Sequence, residues 1–205
     1  MPPPQTDTPL TGRMATAKAE LPVLLFDDAA GWESWLAQNH DTSRGVWLQL
    51  AKKKSGRKSV TYVEAVEAAL CYGWIDGQAK GLDEEFSLQR FTPRGRKSIW
   101  SKINVGRADA LLEAGRMRPA GQAAIDEAKS DGRWAAAYDP PSTAKVPPDL
   151  QAALDAAPRA AEFFATLGSS SRYSILFRLQ TARREETRAR RIRQFVEMLE
   201  RGETL

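Results

Sequence analysis

Trp74-Ile75-Asp76-Gly77 and Phe86-Ser87-Leu88-Gln89-Arg90-Phe91 flank the acidic loop Gly81-Leu82-Asp83-Glu84-Glu85, and the reading of this stretch decides the fold. The second string alternates as a strand does, with Phe86 and Leu88 on one face. Two extended segments around a short polar loop read as a hairpin. Upstream, Gly45 opens Val46-Trp47-Leu48-Gln49-Leu50-Ala51, where Val46, Leu48 and Leu50 share a face, and this supplies a third strand. Downstream of Ser98 the apolar period becomes helical, with Val105, Ala108, Leu111 and Leu112 in one stripe ending at Gly115. The expectation is therefore α+β: a small antiparallel sheet packed with helices, followed by a helical C-terminal part.

Helix signals surround the strands. Asp27 or Asp28 can cap a short helix carrying Trp32, Trp35 and Leu36. Thr61-Tyr62-Val63-Glu64 is a capping box. Val63, Val66 and Leu70 follow at helical spacing, and Gly73 stands where a left-handed C-terminal cap is expected. Pro119 starts another helix, with Ile125 and Ala128 inward and Gly132 closing it. The Pro-rich run 140–148 reads as a linker. Beyond it, helices are expected near Asp149–Ala156, Pro158–Thr166, Ser170–Gln180 and Arg184–Arg201, with Gly168 as a stop and Ser169 to Ser171 as caps. In the last of these, Ile192, Phe195, Val196 and Leu199 form the buried side; the arginines Arg188, Arg190, Arg191 and Arg193 mark a solvated one. The domain reading is a disordered tail 1–20, an α+β core 21–139, the linker 140–148 and a helical region 149–205.

Composition bounds the chemistry. The 205 residues carry a net charge of +4, which allows phosphate binding without demanding it. One cysteine, Cys71, and one histidine, His40, leave no Cys/His zinc site and no internal disulfide. No metal or cofactor is expected. No apolar run reaches the roughly 20 residues of a membrane span. Pro2, Pro3, Pro4 and Pro9 interrupt the first twenty residues, which do not resemble a signal peptide; Met14 is a plausible alternative start. The location expected is cytoplasmic.

The candidate site gathers around the hairpin ends. Trp74 follows the capped helix at once, and Phe91-Thr92-Pro93-Arg94-Gly95-Arg96-Lys97-Ser98-Ile99-Trp100-Ser101-Lys102 follows the second strand. In an antiparallel pair those ends meet, bringing Trp74 to Asp76 within reach of Arg90 to Arg94. Arg90, Arg94, Arg96, Lys97 and Lys102 could contact phosphates, as could the loop Lys52 to Lys58, which has five cations in eight residues if Ser59 is included. Tyr72, Trp74, Phe91 and Trp100 could offer stacking faces. The ligand-binding set is thus Tyr72, Trp74, Asp76, Arg90, Arg94, Arg96, Lys97, Trp100 and Lys102. It suits nucleic acid or another phosphate-bearing ligand. Two alternatives stand beside it. One is an enzyme with Asp76 and Glu67 as acid/base candidates, Arg94 or Lys102 as electrostatic stabiliser, and Ser98 or Cys71 as nucleophile. The other is a protein-interaction module without chemistry.

The segment Tyr62 to Gly77 resembles the YdeI/OmpD-associated family, also called bacteriocin-protection proteins. So do Phe91 to Arg94, Ser98 to Asn104, Gly115 to Gly121, Gly132-Arg133-Trp134 and Thr187 to Ile192. The resemblance spans roughly Leu24 to Gly202. It implies a bacterial stress or bacteriocin-tolerance role and association with an outer-membrane porin, and it carries over no catalytic residue.

Overall fold

The computed structural model of the protein describes residues 20–205; the expected N-terminal tail lies outside them, apart from its last residue. Chain order is β1 (Val23–Leu24), α1 (Ala29–Asn39), β2 (Val46–Ala51), α2 (Tyr62–Cys71), β3 (Trp74–Gly81), β4 (Phe86–Pro93), α3 (Lys102–Glu113) and α4 (Pro119–Ser130). Then come α5 (Pro148–Asp155), α6 (Pro158–Thr166), α7 (Ser169–Gln180) and α8 (Glu185–Glu200). The class is α+β. Its four-stranded sheet runs β1-β2-β4-β3, with the β3–β4 hairpin as read from the sequence and β2 antiparallel to β4. The sheet is mixed rather than purely antiparallel, because the two-residue β1 pairs parallel with β2 at Val23–Trp47 and Leu24–Leu48. Two residues show no period, so that strand exists only through its partner.

Local signals place the helices. Asp28 is the N-cap of α1, its Oδ1 accepting from the Gly31 N–H at 2.9 Å. The capping box of α2 is complete: Thr61 Oγ1 accepts from the Glu64 N–H, and a Glu64 carboxylate oxygen accepts from the Thr61 N–H at 2.9 Å. The Thr61 hydroxyl also donates to that carboxylate at 2.7 Å, and this bond first, with the Thr61 N–H second, holds the Glu64 carboxyl below its usual range. Thr61→Ala is therefore expected to lower stability by about 0.5–2 kcal/mol in denaturant melts; an unchanged midpoint would mean that the cap adds nothing. The serines after Gly168 behave differently from expectation. Gly168 itself is the N-cap of α7, and no side-chain cap bond forms.

Gly73 ends α2 with φ +71°, the left-handed region that the cap reading requires. Its Cα also faces the start of α4, and a Cβ there would stand 2.8 Å from the Ala120 carbonyl oxygen. Asparagine's tolerance of positive φ therefore brings no relief at this position.

Cross-strand pairing divides the sheet into two faces. Val46 lies opposite Phe91, and Leu48 opposite Gln89, all buried beneath α1 and α2. Trp32 fills the centre of that layer, with ring centroids 5.6 Å from Phe91, 6.3 Å from Trp74 and 5.4 Å from Trp35. Its Nε1 donates to the Ala65 carbonyl in α2. The other face carries Trp47 opposite Arg90, Gln49 opposite Leu88, and Lys80 opposite Leu88 from β3. Leu88 is buried but stands apart from the main core. Phe86 and Leu88 do share a face, and it is this second one.

Helices α5 to α8 enclose a separate apolar cluster built on Leu150, Phe164, Ile175, Leu179, Phe195 and Leu199. Arg188, read from the sequence as solvated, is pinned: Nε and Nη2 donate to the two Asp149 oxygens at 2.5 and 2.8 Å, and Nη1 to the Leu179 carbonyl. Arg191 donates to the Arg178 carbonyl. The two clusters meet at a polar seam. There the Asp139 N–H donates to Gln180 Oε1, the Tyr173 hydroxyl donates to the Asp139 carbonyl, and Tyr138 packs edge-on against Phe177.

Candidate functional site

The hairpin brings the ends of the expected cluster together. Trp74 pairs with Pro93 and Asp76 with Phe91, and the Arg94 N–H donates to the Gly73 carbonyl at 2.9 Å. The Asp76-Gly77 pair lies inside β3, at an irregularity where the register shifts between Asp76 and Ala79. Trp74 and Arg94 border one open depression with Tyr72, His40 and Glu127.

The aromatic members are core. Trp74 is 1 % exposed and Trp100 2 %, Phe91 is fully buried, and Tyr72 packs on the His40 ring. The Trp74 Nε1 donates to the His40 carbonyl. None of these rings offers a free face to a base, which corrects the stacking role expected for Tyr72, Trp74, Phe91 and Trp100. Their spacing in the sequence is that of a recognition surface and equally that of a packed interior; only the pleat decides, by turning position 74 inward.

The cations disperse. The Arg94 guanidinium lies over Trp100, its Cζ 3.5 Å from the ring centroid, with Nη1 donating to the Ile99 carbonyl. Its Nε and Nη2 are buried without a hydrogen-bond partner among the described residues. Burial pushes this guanidinium well down from its ordinary value, while the charge of Asp76 works to hold the proton; an arginine remains a cation at neutral pH even so. Arg96 is 94 % exposed and reaches Glu127 at 3.5 Å, a surface pair of small worth. Lys97 is exposed. Lys102 Nζ is held by Asp139 at 2.7 Å. In the loop 52–59, Arg57 pairs with Glu85 and Lys52 donates to the Asp83 carbonyl.

Among the described residues Asp76 takes no arginine partner. Its Oδ2 accepts from the Tyr62 hydroxyl at 2.7 Å. Burial, helped by that bond, pushes the Tyr62 hydroxyl up to about 12. With Lys102 committed to Asp139 and Arg94 lying on Trp100, no geometry joins Asp76 to either as a catalytic pair. Cys71 is buried, and burial raises its thiol, so it is no ready nucleophile. Ser98 Oγ is occupied by the Gly95 N–H. Glu67 pairs with Arg116 at 3.3 Å. Arg133 is 3 % exposed, bonded to Asp131 and the Ser98 carbonyl, and serves to hold the 94–100 segment in place.

Sequence reasoning singled out Arg90 but not its neighbour. Arg90 stands beside Trp47 on the sheet face opposite α1 and α2, and Lys80 Nζ lies 4.4 Å from the centre of the Trp47 ring. Trp47 is half-buried. Arg90 and Lys80 make no ion pair or side-chain hydrogen bond with the described residues, and the Arg90 Nε is buried without a partner. The signal was legible in principle: Trp47 alternates with Val46 and Leu48, and so had to face the other way.

Two comparisons with known families bear on the chain. Residues 143–202 match the family described as Bacteriocin-protection, YdeI or OmpD-Associated. Residues 24–124 match a Domain of unknown function (DUF8412). The match to the YdeI/OmpD-associated family thus covers α5 to α8. Of the strings that suggested the family, Thr187 to Ile192 fall inside that match. The strings from Tyr62 to Gly121 fall in the other, together with every candidate site residue. No curated protein and no solved structure matches this chain.

Proposed function

We propose that the protein is a cytoplasmic bacterial stress or bacteriocin-tolerance factor that binds phosphate-bearing ligands, specifically single-stranded nucleic acid, on the face of the sheet opposite α1 and α2. The observation that carries this reading is the Trp47–Arg90 cross-strand pair with Lys80 lying on the tryptophan ring. A single strand needs an aromatic face for a base and cations for the flanking phosphates. The Lys80 stem is flexible, and a base can displace it from the ring. Gln49 and Thr92 add hydrogen-bonding groups on the same face, and none of the strand side chains there is a carboxylate. Exposed Arg44 before β2 and Lys53 and Lys54 after it extend the positive charge along the strand direction.

Fluorescence anisotropy with a labelled mixed-sequence oligonucleotide, at two salt concentrations, tests the reading. Binding is expected at low salt and should weaken as salt rises. Trp47→Ala should weaken it by roughly 5- to 150-fold, the equivalent of about 1–3 kcal/mol for one stacked base. Lys80→Ala and Arg90→Ala should each flatten the salt slope by about 0.7. Absence of binding at low salt, or an unaffected Trp47→Ala, would overturn the proposal.

A further inference from the structure

A second site lies on the other side of the hairpin. Between β3, the start of α3 and the seam toward α7 is a cleft of about 350 Å³, bordered by Tyr62, Asp76, Ser101, Asn104, Arg107 and Tyr138 among others. Among the described residues it is lined by one carboxylate, Asp76, and one guanidinium, Arg107, and these make no ion pair with each other. Each is tethered instead to its own wall. Asp76 Oδ2 takes the Tyr62 hydroxyl, and Arg107 Nη1 donates to Asn104 Oδ1 at 3.1 Å. Opposite charges facing one cleft would ordinarily collapse on each other; here the sheet and α3 hold them apart.

The Arg107 wall is built to receive an anion. Arginine can only donate, so the Asn104 amide must turn its oxygen to Arg107 and its NH₂ away. Asn104 is 7 % exposed, and its Nδ2 donates to no group among the described residues. The first turn of α3 adds to this. The Lys102 N–H goes to the Tyr138 carbonyl and the Asn104 N–H to Ser101 Oγ, which leaves the Ile103 N–H at the positive end of the helix without an acceptor among the described residues. On the opposite wall, Asp76 Oδ1 receives no hydrogen bond from the described residues. The buried Arg94 approaches Asp76 only through space, its guanidinium committed to the Trp100 face.

We infer that this cleft binds a small zwitterion of the amino-acid class, with its anionic group on Arg107, Asn104 and the α3 N-terminus and its ammonium on Asp76. An inorganic anion alone would meet the Asp76 charge, and a simple amine would meet Arg107. A ligand bearing both groups satisfies both walls. The site is separate from the Trp47 face, and either can fail without the other.

Calorimetric titration of the full chain with single L-amino acids tests the inference, each compared with its N-acetyl and methyl-ester forms. At least one free amino acid should bind at millimolar concentration or tighter. Acetylation and esterification should each weaken it by about tenfold or more, since each removes a charge-assisted contact. Asp76→Asn should erase the penalty of N-acetylation, and Arg107→Gln the penalty of esterification. Should either variant fail to fold, the blocked ligands on the unaltered protein still decide. Absence of binding by every free amino acid, or equal binding of free and blocked forms, would overturn the inference.

Discussion

Gly121→Ala should destabilise the protein by about 3 kcal/mol or more, although alanine ordinarily improves a helix interior over glycine by about 1 kcal/mol. Gly121 sits in the first turns of α4, where this helix crosses the end of α2. A Cβ there would stand 2.6 Å from the Leu70 carbonyl oxygen, closer still to that of Cys71, and 2.5 Å from Met117 Sδ. The methionine can swing away, but the two carbonyls are backbone and cannot. Relief requires α4 to move off α2, which would also disturb the Arg118 N–H bond to the Cys71 carbonyl and the contact at Gly73. Urea melts read the effect as a fall in midpoint at constant slope. A midpoint at or above that of the parent would show that α2 and α4 do not approach as closely as described.

Trp32→Ala is expected to cost about 3–5 kcal/mol. The ring is fully buried and touches Phe26, Trp35, Trp74 and Phe91, so it joins α1 to both the sheet and α2. Removal leaves a cavity whose walls are other aromatics anchored on three different elements, and they cannot close over it together. Trp32→Phe should cost much less. It forfeits the Nε1 bond to the Ala65 carbonyl, but that oxygen lies within a helix whose own ladder can still satisfy it. Chemical denaturation of both variants, with near-ultraviolet circular dichroism for the tryptophan environment, measures the difference. Equal and small losses would show that the cluster packs loosely.

The helices were largely legible because each signal is local. The capping box at Thr61 needs only four residues, Pro158 fixes its own helix start, and Ile125 and Ala128 declare an inward face by spacing alone. The hairpin was legible for the same reason, since its two strands adjoin one short loop. The parallel strand β1 was not, because two residues carry no period and its pairing depends on β2, more than twenty residues away.

The candidate site was legible only as a neighbourhood. Sequence identified the hairpin ends as the place where Trp74, Asp76, Arg90 and Arg94 converge, and pairing of β3 with β4 brings them there. Which way each side chain points was a tertiary decision. The pleat sends Trp74, Asp76 and Phe91 to the helix-covered face and Arg90 to the other, where it meets Trp47 from a strand distant in sequence. Partners were likewise decided in three dimensions. Asp76 received Tyr62 and Lys102 received Asp139, because α2 and the seam after Tyr138 arrive beside them. Local sequence determines propensity, capping and period; long-range packing alone determines which charges are neutralised and which stay available to a ligand.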